Sequence, residues 1–111
     1  MDILKIAILL RGDGRPVDPA GPVSSIAVYT VNTAEEKILS REDLEPPSQG
    51  PDEFPKLLAG LKVGLVLAPR MAEDSMDRLL SYGVEALAGF PSLEPDDLVL
   101  RYMADTLVPD A

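Results

Sequence analysis

The sequence predicts a single α/β domain: a five-stranded mixed sheet in the order 3-2-1-4-5, the second strand antiparallel, with helices packed on it. Three observations carry this. Ile3–Leu10, interrupted only by Lys5, and Val63–Ala68 are apolar runs of strand length, as expected of strands buried on both faces. Between them lie two β-forming stretches joined by a short turn, the pattern of an antiparallel hairpin. Three later segments repeat apolar residues at helical spacing and alternate with strands.

The first strand, Ile3–Leu10, ends at the turn signals Gly12 and Gly14. Residues 11–22 hold three Gly and three Pro and read as a loop. Ser25–Val31, with Ile26, Val28 and Tyr29, forms the second strand, and Asn32 to Glu36 forms the turn. Lys37–Asp43 follows as a more polar strand at the exposed edge of the sheet. Pro46 to Pro51 is a second loop. Phe54, Leu57, Leu58 and Leu61 then share one helical face, with Pro55 tolerated in the first turn. The strand Val63–Ala68 is stopped by Pro69. Ala72, Met76, Leu79 and Leu80 share the face of a second helix, with Glu73, Asp74 and Asp77 toward its N-terminal end and Gly83 as its stop. Val84–Ala88 is a short strand. Pro95 opens a last helix whose face carries Leu98, Val99, Tyr102, Met103 and Leu107.

The 111 residues, 46% apolar and 26% charged, suit one domain spanning 1–111. Ten basic against 19 acidic residues give a net charge of −9, which argues against nucleic acid as a partner. The chain has no Cys and no His. That excludes disulfides, thiolate nucleophiles, catalytic triads, the usual zinc sites and protein-ligated iron–sulfur clusters. The one strongly apolar run is too short to span a bilayer and lacks the flanks of a signal peptide, so the reading is cytoplasmic, with no membrane partner. The central strands carry none of the clustered carboxylates a two-metal nuclease needs. Gly12-Asp13-Gly14 is not followed by the Gly-Lys-Ser/Thr of a phosphate loop. The acidic pair Asp96-Asp97 reads as the first turn of a helix, where negative charge is favourable. The reading is therefore a non-enzymatic protein.

The strand order makes the first and fourth strands neighbours whose connections run to opposite sides, a topological switch point at their carboxyl ends. The loops 11–22 and 69–71 meet there and bring Arg11, Arg15 and Arg70 into an otherwise acidic chain. The amides that open the helix after Pro69 point the same way, making a candidate anion-binding cleft.

Several stretches resemble the dinitrogenase iron–molybdenum cofactor biosynthesis family, the NifX-like domains. Lys5-Ile6-Ala7-Ile8 looks like the opening strand of that family, and Ala27-Val28-Tyr29-Thr30-Val31 is similar to its hairpin strand. Leu57 to Ala68 resembles the helix end and strand before a Gly-rich turn. Leu79-Leu80-Ser81-Tyr82-Gly83-Val84-Glu85 looks like the Leu-Lys-x-x-Gly-Ile-x stretch. The resemblance covers nearly the whole chain, at positions that mostly bear the fold. It implies a ribonuclease H-like fold and an accessory protein that transiently carries iron–molybdenum cofactor or an iron–sulfur precursor, with nitrogenase assembly proteins as partners.

The departures fall on the functional positions. Pro19-Ala20-Gly21 stands where the family has a His, and Arg70-Met71-Ala72-Glu73-Asp74 replaces the Gly-rich turn. The candidate ligand-binding residues are thus Arg11, Asp13, Gly21, Arg70 and Met71. No metal is expected to be tightly bound: a cluster would be held by charge, through Arg11 and Arg70, because the thioether of Met71 is a weak donor. The other reading is an interaction module that keeps the fold and has lost cluster binding.

Overall fold

A computed structural model describes residues 2–17, 23–46, 53–90 and 94–104. β1 (Ile3–Leu10) lies at the centre of the sheet, and Ile6 to Leu10 are each at most 2% exposed. β2 (Ser25–Asn32) pairs antiparallel with β1 along its whole length, Ile3 opposite Asn32 and Leu10 opposite Ser25. β3 (Lys37–Leu44) pairs antiparallel with β2 and forms one edge. β4 (Leu65–Leu67) runs parallel to β1, and β5 (Glu85–Leu87) runs parallel to β4 and forms the other edge. The order is β3-β2-β1-β4-β5, as the sequence predicts.

Side chains alternate across β1 and build two cores. Ile6, Ile8 and Leu10 join Tyr29, Val31, Leu65 and Leu67 on one face, covered by Leu98 and Val99 of α3 (Pro95–Met103). Ala7 and Leu9 join Ile26, Val28 and Val66 on the other face. That face is covered by Phe54 and Leu58 of α1 (Phe54–Gly60) and by Leu79 of α2 (Glu73–Ser81). Pro55 and Pro95 sit in the first turns of their helices, where a missing N–H costs no hydrogen bond. Gly83 follows α2 with φ 82°, a left-handed conformation that glycine adopts without the Cβ penalty.

Two expectations are refined. The shared face of α2 reaches the core through Leu79, which is buried, while Ala72 is an exposed N-cap residue and Leu80 is 62% exposed. With β5 only three residues long, the sheet ends before it can cover Leu80. The fourth strand is also shorter than its run Val63–Ala68, at its carboxyl end for a reason that lies in the loop after β1, and the fifth is Glu85–Leu87 within the expected Val84–Ala88. The expected loops at 18–22 and 47–51, with Gly21, and Leu107 of the last helix face lie outside the described residues.

Candidate functional site

Backbone groups along β1 point alternately to β2 and to β4. Lys5 faces β4, since its carbonyl accepts from the Gly64 N–H at 3.0 Å. Leu9, four residues on, faces the same way, but its carbonyl accepts from Val17 (2.8 Å). The Arg11 N–H likewise donates to the Arg15 carbonyl (2.8 Å), and Leu10 makes an antiparallel bridge with the buried Pro16. The loop therefore turns back and occupies the edge of β1 that β4 would otherwise use. β4 pairs with β1 only at Ile6 opposite Leu65 and Ala7 opposite Val66.

This return sets the positions of the predicted site residues. The β1–β4 register, carried past the strand ends, would set Arg11 beside Arg70. Instead, Arg15 to Val17 fills that edge. Beyond Leu67 the chain bonds toward β5: Ala68 donates to the Leu87 carbonyl (3.1 Å), and Gly89 to the Pro69 carbonyl (2.8 Å). Arg11 is paired within its own turn, with Nη2 2.9 Å from Asp13 Oδ2. Asp13 also accepts the Arg15 N–H at Oδ1 (3.0 Å). That amide, with the Arg11 guanidinium beside it, holds the Asp13 carboxyl below its ordinary value. Arg11 and Asp13 thus serve each other at the end of β1.

Arg70 and Met71 lie elsewhere, in an open depression of ≈ 470 Å³ lined with Pro69, Ala72, Ala88 and Gly89. Arg70 is exposed, and among the described residues its side chain makes no hydrogen bond or ion pair. Met71 is half-buried and packs against the core beneath α2 while lining the depression. Ala72 gives α2 no side-chain cap, so the first amides of the helix keep their donors, with Glu73 and Asp74 beside them in the first turn. Gly89, at φ 91°, takes a turn that brings backbone rather than a side chain to the wall. The sequence reading missed Ala88 and Gly89. Their signal was present: a glycine just past a short strand, at the same end of the sheet as Pro69-Arg70.

A second polar cluster lies on the opposite face. Tyr29, fully buried in its ring, donates its hydroxyl to Asp96 Oδ1. Arg41 Nη1 donates to both, to Tyr29 Oη at 3.1 Å and to Asp96 Oδ1 at 3.0 Å. The rest of its guanidinium forks onto Asp43, at 2.8 and 3.2 Å. Burial, and then the bond to Asp96, push the Tyr29 phenol well above its ordinary value. Every group here is partnered, and the cluster fastens α3 to β2 and β3. It has the marks of a structural clamp, not of a site. Asp96, read from sequence as a helix first-turn residue, does that as well as accepting from Tyr29.

Among the described residues no three His, Cys, Asp or Glu side chains converge to hold a metal ion, and no helix is long and apolar enough to cross a membrane.

Neither a family model nor a curated protein matches the sequence. Solved structures do match the fold. The crystal structure of PH0822 superposes with a TM-score of 0.82 at 15% identity, covering 96% of this chain and 95% of that one. The apo form of the orange protein from Desulfovibrio gigas superposes with a TM-score of 0.69 at 20% identity, covering 96% of this chain and 92% of that one. The likeness is one of fold. At these identities it says nothing residue by residue about the depression.

Proposed function

We propose that this is a cytoplasmic, non-enzymatic accessory domain that binds an anionic ligand in the depression formed by 69–72 and 88–89. The carrying observation is Arg70, an exposed cation with no partner among the described residues, beside the uncapped start of α2. Glu73 and Asp74 limit the reach of this positive field but do not sit among the lining residues. Exposed charges more than about 8–10 Å away are screened in physiological salt, so the carboxylates elsewhere on the chain weigh little here, and Glu73 and Asp74 are the charges against which Arg70 and the free amides act.

The donor set decides how such a ligand is held. With no Cys or His in the chain, the depression offers iron or molybdenum only the weak thioether donor of Met71. The ligand is therefore an anion complete in itself, such as an oxyanion or a preassembled metal–sulfide cluster, held by charge and amide donors. The sequence resemblance to the nitrogenase cofactor family supports the cluster. On that reading the assembly proteins of nitrogenase are the partners and iron–molybdenum cofactor or its precursor is the cargo.

The test is a titration of the full chain with molybdate, an oxyanion, and with tetrathiomolybdate, a metal–sulfide anion. Arg70→Ala is expected to weaken binding more than Arg11→Ala, because Arg11 is already neutralised by Asp13. Binding should also weaken as salt is raised. Affinity indifferent to Arg70→Ala would overturn the proposal, and preference for one probe would separate oxyanion from metal–sulfide cargo.

A further inference from the structure

Beside the depression, α2 and the edge strand β5 enclose a groove of ≈ 570 Å³. Its apolar lining is Met76, Leu80 and Leu87, of which Leu80 is 62% and Leu87 40% exposed. Its charged lining is acidic throughout: Glu73, Asp77 and Glu85. Along β5, the Glu85 N–H donates to Gly64 and the Leu87 carbonyl accepts from Ala68, so both residues turn their backbone toward β4. By alternation, Ala86 turns its N–H and C=O to the outer edge, where no described strand follows. An open sheet edge, apolar side chains left uncovered by their own fold, and a rim of one charge therefore coincide.

We propose that this groove docks an extended segment of a partner protein that alternates apolar and basic residues and adds to the edge of β5. Backbone pairing to Ala86 gives the segment its register; the apolar side chains it turns to the α2 face meet Met76 and Leu80, and the lysines or arginines it turns to the other face meet Glu85, within the field of Asp77 and Glu73 at the rim. A second copy of this chain is the poorer occupant. It would bring a second set of Glu73, Asp77 and Glu85 against the first, on a chain of net charge −9. The inference does not rest on anion binding at Arg70, and the two fail separately.

The probe is a blocked peptide, Lys-Ile-Lys-Val-Lys-Ile-Lys, titrated into the full chain and followed by amide chemical shifts. The control peptide carries Glu at each Lys. The basic peptide is expected to bind and to perturb residues 76–87, and the acidic one to bind far more weakly. Asp77→Lys/Glu85→Lys should lose about tenfold in affinity, about 1.4 kcal/mol. Glu42→Lys/Glu45→Lys, the same change of net charge on and beside β3, should lose much less. Shifts centred outside the groove, equal binding of the two peptides, or equal losses in the two double variants would overturn the proposal. So would a concentration-dependent dimer abolished by Leu87→Lys, which would make the second copy the occupant. Arg70→Ala should leave peptide binding unchanged, and a loss there would assign the peptide to the depression instead.

Discussion

The two edges of the sheet are built differently. β3 is eight residues long and polar, with a register shift opposite Thr30 and Val31, and its Arg41 ties it across β2 to α3. Charges and irregularity are how natural sheets keep a long edge from pairing with strangers. β5 is three residues long and leaves Leu80 and Leu87 exposed beside it. Its protection is brevity and the acidic rim of Glu73, Asp77 and Glu85. One edge is tied into the fold through Arg41, and the other leaves apolar side chains exposed where the depression and the groove lie. Stability and contact are thus divided between opposite ends of one sheet.

The largest test of that division is Tyr29→Ala, which empties a fully buried aromatic site and unties Arg41 and Asp96. It should cost about 3–5 kcal/mol in urea denaturation. A cost near that of a surface substitution would break the comparison. Alkaline pH should probe the same clamp. Folding raises the Tyr29 phenol, so the folded chain holds this proton more tightly than the unfolded one. Its contribution is complete below the ordinary phenol value and is lost as pH rises beyond about 10, by up to roughly 1.4 kcal/mol per pH unit. Tyr29→Phe should remove that part of the alkaline decline. Asp96→Ala leaves the phenol without its acceptor but open to water beside an exposed helix end, and should cost about 1 kcal/mol. At the other edge, Leu80→Gln should change stability by no more than about 0.5 kcal/mol, measured in the same way.

The fold was legible in the sequence because its signals are local and redundant. β1 needed no partner to be recognised as central, and Pro55, Gly83 and Pro95 marked helix ends through backbone chemistry that holds in any fold. The site was legible only to the level of a loop. Arg11, Arg15 and Arg70 belong to chain segments that converge by topology, but the charge of Arg11 is taken up by Asp13 in a turn fixed by the Arg11 to Arg15 backbone bond. No periodicity encodes that bond. The face of α2 enters the core only at Leu79 for a related reason: Met76 and Leu80 share its spacing, but a core also needs something opposite, and β5 is too short to supply it. Tyr29, Arg41 and Asp96 are separated by chain distances that leave no mark in sequence.

The return of residues 15–17 along β1 has a consequence for which parts of the chain open together. By taking the outer half of that strand edge, it leaves β4 joined to β1 at two paired positions, whereas β2 is joined at eight. Sub-global unfolding follows such thin seams. The unit β4–α2–β5 should therefore detach from the β1–β3 ladder at a free energy below that of global unfolding. In native-state hydrogen exchange, the Gly64 amide, which bonds to the Lys5 carbonyl across this seam, should exchange before those in the middle of β2. A protein that opens at this seam presents β5 and the depression on a segment that moves as one piece, so a partner and a ligand bound there would each feel the arrival of the other.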